Sequence, residues 1–185
     1  VIRLLSPIEG VPDDEHLAVR AATALKASIN GAAITELGVD IAVDKVLPMG
    51  GGLGGGSSNA ASTLLGLNQL WNLNLNIDEL AAIGLTLGAD VPVFVRGQNS
   101  FAEGVGELLQ PIKLPNQWFS VIKPASDVST ATIFAHPQLT RDSLPIRIAA
   151  FFETQPNSPP NSSEGQQNLR NDCLDVVLDL SLIHI

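Results

Sequence analysis

The residues best placed to do chemistry are a glycine run and the few polar residues around it. From Pro48 to Ser58 the chain reads PMGGGLGGGSS, with glycine at Gly50, Gly51, Gly52, Gly54, Gly55 and Gly56 and only Met49 and Leu53 interposed before Ser57 and Ser58. Glycine admits positive φ and leaves no side chain between the main chain and a ligand. Beyond the run, Ala60, Ala61, Leu64, Leu67, Leu70 and Trp71 recur at helical spacing. That spacing predicts a helix from Asn59 to Trp71, capped by Ser57 or Ser58. A glycine loop feeding a helix N-terminus directs unpaired N–H groups and the positive end of the helix dipole at one point, an anion site suited to phosphate. Lys45, just upstream, is either a solvated loop charge or a cation for the base or phosphates of a nucleotide, where it would gain charge-assisted hydrogen bonds. Asp90 follows Gly88 and precedes Pro92. Its spacing reads first as a turn or cap residue, with a catalytic carboxylate presented at a rigid junction as the functional alternative.

The kind of loop can be tested on the letters. A flexible Gly/Ser linker would join domains and continue in low complexity; this run instead sits between the alternating Val39, Ile41, Val43 and a helical pattern. A Walker loop needs Lys then Ser or Thr after its last glycine. Gly51 and Gly56 have that spacing, but Ser57 stands where the Lys belongs. A dinucleotide fingerprint can be laid over Gly50, Gly52 and Gly55, yet the Rossmann unit wants a second strand bearing an acid about 20 residues on. Asp78 and Glu79 open a helical pattern there instead. Neither standard loop fits well, and a Rossmann-type oxidoreductase and a non-catalytic nucleotide-binding module both stand as readings of a phosphate site.

The elements that must hold these residues alternate between strand and helix. Val1 to Leu5 reads as a strand, Leu17 to Leu25 as a helix preceded by Asp13 and Asp14 and closed by Asn30-Gly31, and Val39 to Val43 as the strand leading to the loop. Asn72 to Asn76 is a polar turn, Asp78 to Leu87 a short helix ending at Gly88, and Phe101 to Glu107 a strand with a tight turn at Gly104 and Gly106. Glu103 and Glu107 read as solvated. Phe119 to Ile122 reads as a further strand, Gln155 to Gln167 as a polar, proline-broken loop, and Asn171 to Leu178 as a helix. His16, His136 and His184 are scattered, with structural or surface roles as the default, and no Cys/His metal spacing occurs.

A chain of 185 residues can build one or two domains. Its net charge of −9 argues against a nucleic-acid or anionic-membrane surface. No apolar run approaches the roughly 18 residues of a membrane span. Backbone N–H groups can still attract phosphate locally. Cys173 is the single cysteine, so no internal disulfide forms, and with no secretory pattern at the start a cytoplasmic location is expected.

Three blocks carry a resemblance: LPMGGGLGGGSSNAA (Leu47 to Ala61), LGADVPVFVRG (Leu87 to Gly97) and FAEGVGE (Phe101 to Glu107). Together they closely resemble the 4-diphosphocytidyl-2-C-methyl-D-erythritol kinases of the GHMP superfamily. The resemblance implies an α/β (α+β two-layer) fold and an ATP- and Mg²⁺-dependent kinase acting on a small-molecule alcohol, 4-diphosphocytidyl-2-C-methyl-D-erythritol. It implies an N-terminal ATP-binding domain over residues 1–111 and the start of a substrate-side domain over 112–179. Within these, Pro48 to Ser58 match the ATP-phosphate loop, Lys45 the nucleotide pocket and Asp90 the catalytic aspartate. Ser57 or Ser58 is the Mg²⁺ candidate, and Thr130 a substrate contact. The family's lysine-bearing N-terminal segment and its C-terminal Gly-rich motif have no counterpart here, and His16 stands where relatives often have asparagine near the base. The chain is accordingly expected to be a fragment lacking both ends, folding partly and turning over little alone. Residues 180–185 match the translation of a common sequencing-adapter end, so a non-native tail is expected there.

Overall fold

The computed structural model describes residues 1–29, 36–47, 52–114, 116, 118–121, 129–144 and 171–181, and the chain divides into two compact units, Val1–Phe119 and Ser120–Ile185. Of the expected features, Asn30-Gly31, Pro48 to Gly51, the loop from Gln155 to Gln167 and Leu182 to Ile185 lie outside the described residues.

The first unit opens with a strand–helix–strand. Strands β1 (Ile2–Leu4) and β2 (Val39–Ile41) pair in parallel with Ile2 opposite Val39, Arg3 opposite Asp40 and Leu4 opposite Ile41. Parallel neighbours need a crossover, and helix α1 (Leu17–Ala27) lies within it. Lys26 at the end of α1 donates to the Leu37 carbonyl just before β2. Arg3 and Asp40 meet in two 2.7 Å hydrogen bonds on the exposed side. Each holds the other charged, the hydrogen bond being the main cause on both sides. Solvent exposure of both side chains keeps the contribution to stability small.

Helices α2 (Gly55–Leu70), α3 (Ile77–Leu85) and α4 (Val91–Arg96) follow, and then the antiparallel hairpin of β3 (Ser100–Glu103) and β4 (Leu108–Pro111). The core joins the four helices: Ala21, Ala22 and Leu25 from α1, Ala60, Ala61, Leu64 and Leu67 from α2, Leu80 and Ala81 from α3, Val91 and Val95 from α4. Alanines on the facing sides of α1 and α2 let the two backbones approach closely, so that Leu25 and Leu64 are fully buried between them. Gly84 serves the same purpose for α3 and α4, since a Cβ there would lie 2.8 Å from a Val91 methyl.

The turn between α2 and α3 is built from asparagines. Asn72 and Asn74 hold φ of 51° and 58°, a region that asparagine tolerates better than most residues. Asn68 clamps the turn by accepting from the Leu75 N–H and donating to the Leu75 carbonyl, both at 3.0 Å. Asn76 then caps α3, accepting from Asp78 and Glu79, while Glu79 reaches back to the Asn76 N–H at 2.8 Å. A complete capping box stands where the Rossmann alternative needed a strand. That alternative fails.

In the second unit, helix α5 (Thr130–Ala135) is followed by Arg141, which donates to the carbonyls of Phe134, His136 and Leu139. Helix α6 (Leu174–Ser181) runs past the expected end at Leu178. The expected strand at Phe119 is absent over Phe119–Val121. Phe119 and Val121 are exposed, and without a partner strand the backbone has no ladder to complete. The architecture of helices with small sheets is α+β. No helix among the described residues is long and apolar enough to cross a membrane.

Candidate active site

The described part of the glycine loop turns on Gly52 and Gly54, with φ of 66° and 65°. Gly54 is the N-cap of α2 and makes no side-chain cap hydrogen bond. The helix therefore begins four residues before the expected Asn59. Ser57 and Ser58 do not cap it but lie in its first turn, where the Ser58 N–H donates to the Gly54 carbonyl at 2.8 Å. The reason is that a left-handed glycine can open a helix without any side chain. Both serine hydroxyls are half-buried, and neither bonds a described residue. A helix start of this kind leaves its first N–H groups for a ligand.

Close approach favours glycine at two positions here, Gly54 and Gly56, while the contacts at Gly55 are ordinary ones. A Cβ on Gly54 would lie 2.7 Å from Phe94 Cζ, one on Gly56 would lie 2.9 Å from a Leu17 methyl, and one on Gly55 would touch Leu47 and sit 4.0 Å from Lys45 Nζ. The loop is thus walled by the start of α1, the segment Lys45–Leu47, and the Phe94 ring on α4.

Asp90 is the N-cap of that same α4, with Pro92 in its first turn. The simple cap reading would have its carboxylate accept from the helix N–H groups, but no such bond forms. The side chain is exposed and makes no hydrogen bond or ion pair with a described residue. Asp90 already has helical φ and ψ of −84° and −16°, so Phe94, four residues on, shares its side of α4. With Phe94 packed against Gly54, that side of α4 faces the loop.

Lys45 is exposed and makes no ion pair or hydrogen bond with a described residue. His16, at 7% exposure, caps α1 by accepting from the Ala18 N–H at Nδ1, 3.3 Å away. Burial, then the charge of Lys45, push its pKa below the ordinary value near 6.5, and Asp13 opposes them. The ring is neutral at pH 7, with its proton on Nε2. Thr130 opens α5 in the second unit; its side chain is not described.

Sequence reasoning missed Phe94 and the capping role of His16. The run Val91 to Val95 is apolar without a period that separates helix from strand, so the i, i+4 relation of Phe94 to Asp90 was not legible. His16 carried a readable signal, a polar residue just before a helical pattern.

Of the four helix starts among the described residues of the first unit, two are closed by side chains, α1 by His16 and α3 by Asn76. The two without a side-chain cap belong to α2 and α4, whose ends carry the glycine loop and Asp90.

Comparison with known proteins speaks to the family. Residues 16–98 match the GHMP kinases N terminal domain. The chain is 54% identical over 177 residues to a 4-diphosphocytidyl-2-C-methyl-D-erythritol kinase of Pseudomonas fluorescens, covering 96% of the chain and 56% of that protein. It is 60% identical over 152 residues to the enzyme so named in Cupriavidus metallidurans, covering 82% and 50% respectively. It is also similar to the crystal structure of a 4-(cytidine 5'-diphospho)-2C-methyl-D-erythritol kinase, with a TM-score of 0.67 and 32% identity over 97% of this chain and 61% of that one. The chain spans about half the length of the curated relatives it matches. The matched domain, its loop and this likeness along nearly the whole sequence make the chain a member of the GHMP kinase family.

Proposed function

We propose that the protein carrying this chain transfers the γ-phosphoryl group of ATP to the 2-hydroxyl of 4-diphosphocytidyl-2-C-methyl-D-erythritol, in the non-mevalonate route to isoprenoid precursors in the cytoplasm. Residues 1–111 form the ATP-binding part, and 112–179 begin the substrate side, with Thr130 as a contact. The observation that carries the reading is the pairing of an uncapped glycine loop with an unbonded carboxylate on a neighbouring helix, joined through Phe94 and Gly54.

In this reading the loop from Pro48 to Ser58 receives the phosphates on backbone N–H groups, and Lys45 adds a cation at its edge. Asp90 orients the acceptor hydroxyl and takes its proton as that oxygen attacks phosphorus, a general-base task. The donor atoms offered beside the loop are the Ser57 and Ser58 hydroxyls and the Asp90 carboxylate. Such hard oxygen ligands suit Mg²⁺, which keeps waters and substrate phosphates in its shell and needs only one or two protein ligands. Bound there, the ion would neutralise charge on the phosphoryl oxygens. The chain's own part is to position phosphates and hydroxyl and to hold the proton acceptor between them.

The test is ADP release by the gene's full-length product, with and without the cytidyl diphosphate alcohol. The proposal expects release to depend on that alcohol, and Asp90→Asn to lower kcat by about 100-fold or more while ATP affinity stays within a few fold. ADP release indifferent to the alcohol, or near-normal turnover in Asp90→Asn, would overturn it.

A further inference from the structure

The carboxylate of Asp90 bonds to no described residue, so its position is set by its backbone alone. One wall of that backbone is the Phe94–Gly54 contact described above. The other is the tip of the β3–β4 hairpin. Gly106 sits there at a φ of 111°, and a Cβ on it would lie 2.8 Å from the Ala89 carbonyl oxygen and 3.4 Å from the Ala89 carbonyl carbon and Cβ. Two backbones touch with only a glycine between them, one residue before Asp90.

We propose that Gly106 is a positioning residue for Asp90: the hairpin tip is the rest against which the Ala89–Asp90 peptide is held, and only glycine lets it come that close. The proposal rests on the reading of Asp90 as the proton acceptor. The hairpin is firm enough for the task. Its strands pair from Ser100 opposite Pro111 to Glu103 opposite Leu108, and the Ile112 N–H bonds the Asn99 carbonyl at 2.8 Å beyond them. Its turn is closed from within, by the Gly106 N–H on the Glu103 carbonyl at 3.2 Å and by the Val105 N–H on the Glu107 carboxylate at 2.7 Å. Glu107 is thereby occupied in the turn. Displacing a catalytic group by about 1 Å can cost roughly 100-fold in rate.

The hairpin contains its own control. Gly104 also holds a positive φ, 71°, but the nearest atoms to a Cβ there are the end of the Glu107 side chain, at 2.5 Å. Gly104→Ala and Gly106→Ala therefore strain the same turn, while only the second presses on Ala89. A third variant replaces residues 104–107 with a two-residue Asn-Gly turn, which closes a hairpin without strain and removes the rest altogether. In the full-length protein, each is read by the amide resonances of Ala89, Asp90 and Val91, by kcat, by ATP affinity and by the thermal midpoint. Gly106→Ala and the shortened hairpin are expected to move those three resonances and lower kcat by about 10- to 100-fold, with ATP affinity within twofold. Gly104→Ala is expected to lower the midpoint but keep kcat within about threefold. Equal kcat losses in the two alanine variants would overturn the proposal, as would unmoved resonances in the shortened hairpin if Gly106→Ala fails to fold. Moved resonances with normal kcat would also overturn it, whereas normal turnover in Asp90→Asn would remove the reading beneath it.

Discussion

Helices α2 and α3 begin in opposite ways. The start of α3 is closed by its own sequence: Asn76 accepts from Asp78 and Glu79, and Glu79 returns the bond to Asn76. The start of α2 has a left-handed glycine and no side-chain cap. The bodies of the two helices do not differ in this way, since Leu64 and Leu80 are both buried in one core. A helix whose start needs only stability spends side chains on it, and one that leaves its N–H groups unclaimed has them available for a ligand. The comparison thus separates scaffold from candidate site within a single packed unit.

The largest effects should fall on what the two helices share. Leu64→Ala and Leu80→Ala should each cost about 2–5 kcal/mol in denaturant unfolding of the full-length protein. Losses far smaller for one of them would mean that the two helices are not equally part of the core. Next comes the open start. Gly54→Ala combines an unfavourable positive φ, costing about 1–3 kcal/mol, with a Cβ 2.7 Å from the Phe94 ring. It should weaken ATP binding by tenfold or more in calorimetric titration; unchanged affinity would break the assignment of the loop. The closed start should behave in the reverse manner. Asn76→Ala should cost about 1 kcal/mol of stability and leave ATP affinity unaltered.

The smallest effect concerns the other capped start, at α1. His16 has a folded pKa below its unfolded value of about 6.5, so below that pH the unfolded chain binds more protons than the folded one. The stability it confers is full above pH 6.5 and is lost as pH falls through the folded pKa. The sign follows from burial and Lys45 outweighing Asp13. His16→Asn, which can still cap, should flatten the fall in thermal midpoint below pH 6.5 relative to the unsubstituted protein. An identical slope would show that the acid sensitivity arises elsewhere.

Much of this was readable in the residues, and the failures have physical causes. The glycine loop and the helix after it were legible because six glycines stand between a strand pattern and a helix pattern. Its exact helix start was not, because the capping rule looks for a side chain at Ser57 or Ser58, whereas Gly54 opens the helix by backbone conformation alone. The start of α3 was legible as a helix from Asp78 and Glu79, although the cap is Asn76 and Ile77 lies inside. Asp90 was ambiguous, since cap and catalytic residue share the same sequence position; the unmade cap bond is a property of three dimensions. The contact between Gly106 and Ala89 joins residues of different elements, and no local pattern encodes it. The expected strand at Phe119 failed because an apolar run forms a strand only when a neighbour completes its hydrogen bonds.

In the proposed function, nucleotide phosphates sit on the open start of α2 and leave the closed start of α3 alone. Titration of the ¹⁵N-labelled full-length protein with a non-hydrolysable ATP analogue and Mg²⁺ tests this directly. The amides of Gly52 to Ser58 should shift strongly and saturate together, with those of Asn76 to Glu79 unmoved. Shifts at Asn76 to Glu79 as large as those in the loop, or a loop that stays silent at saturation, would contradict the account.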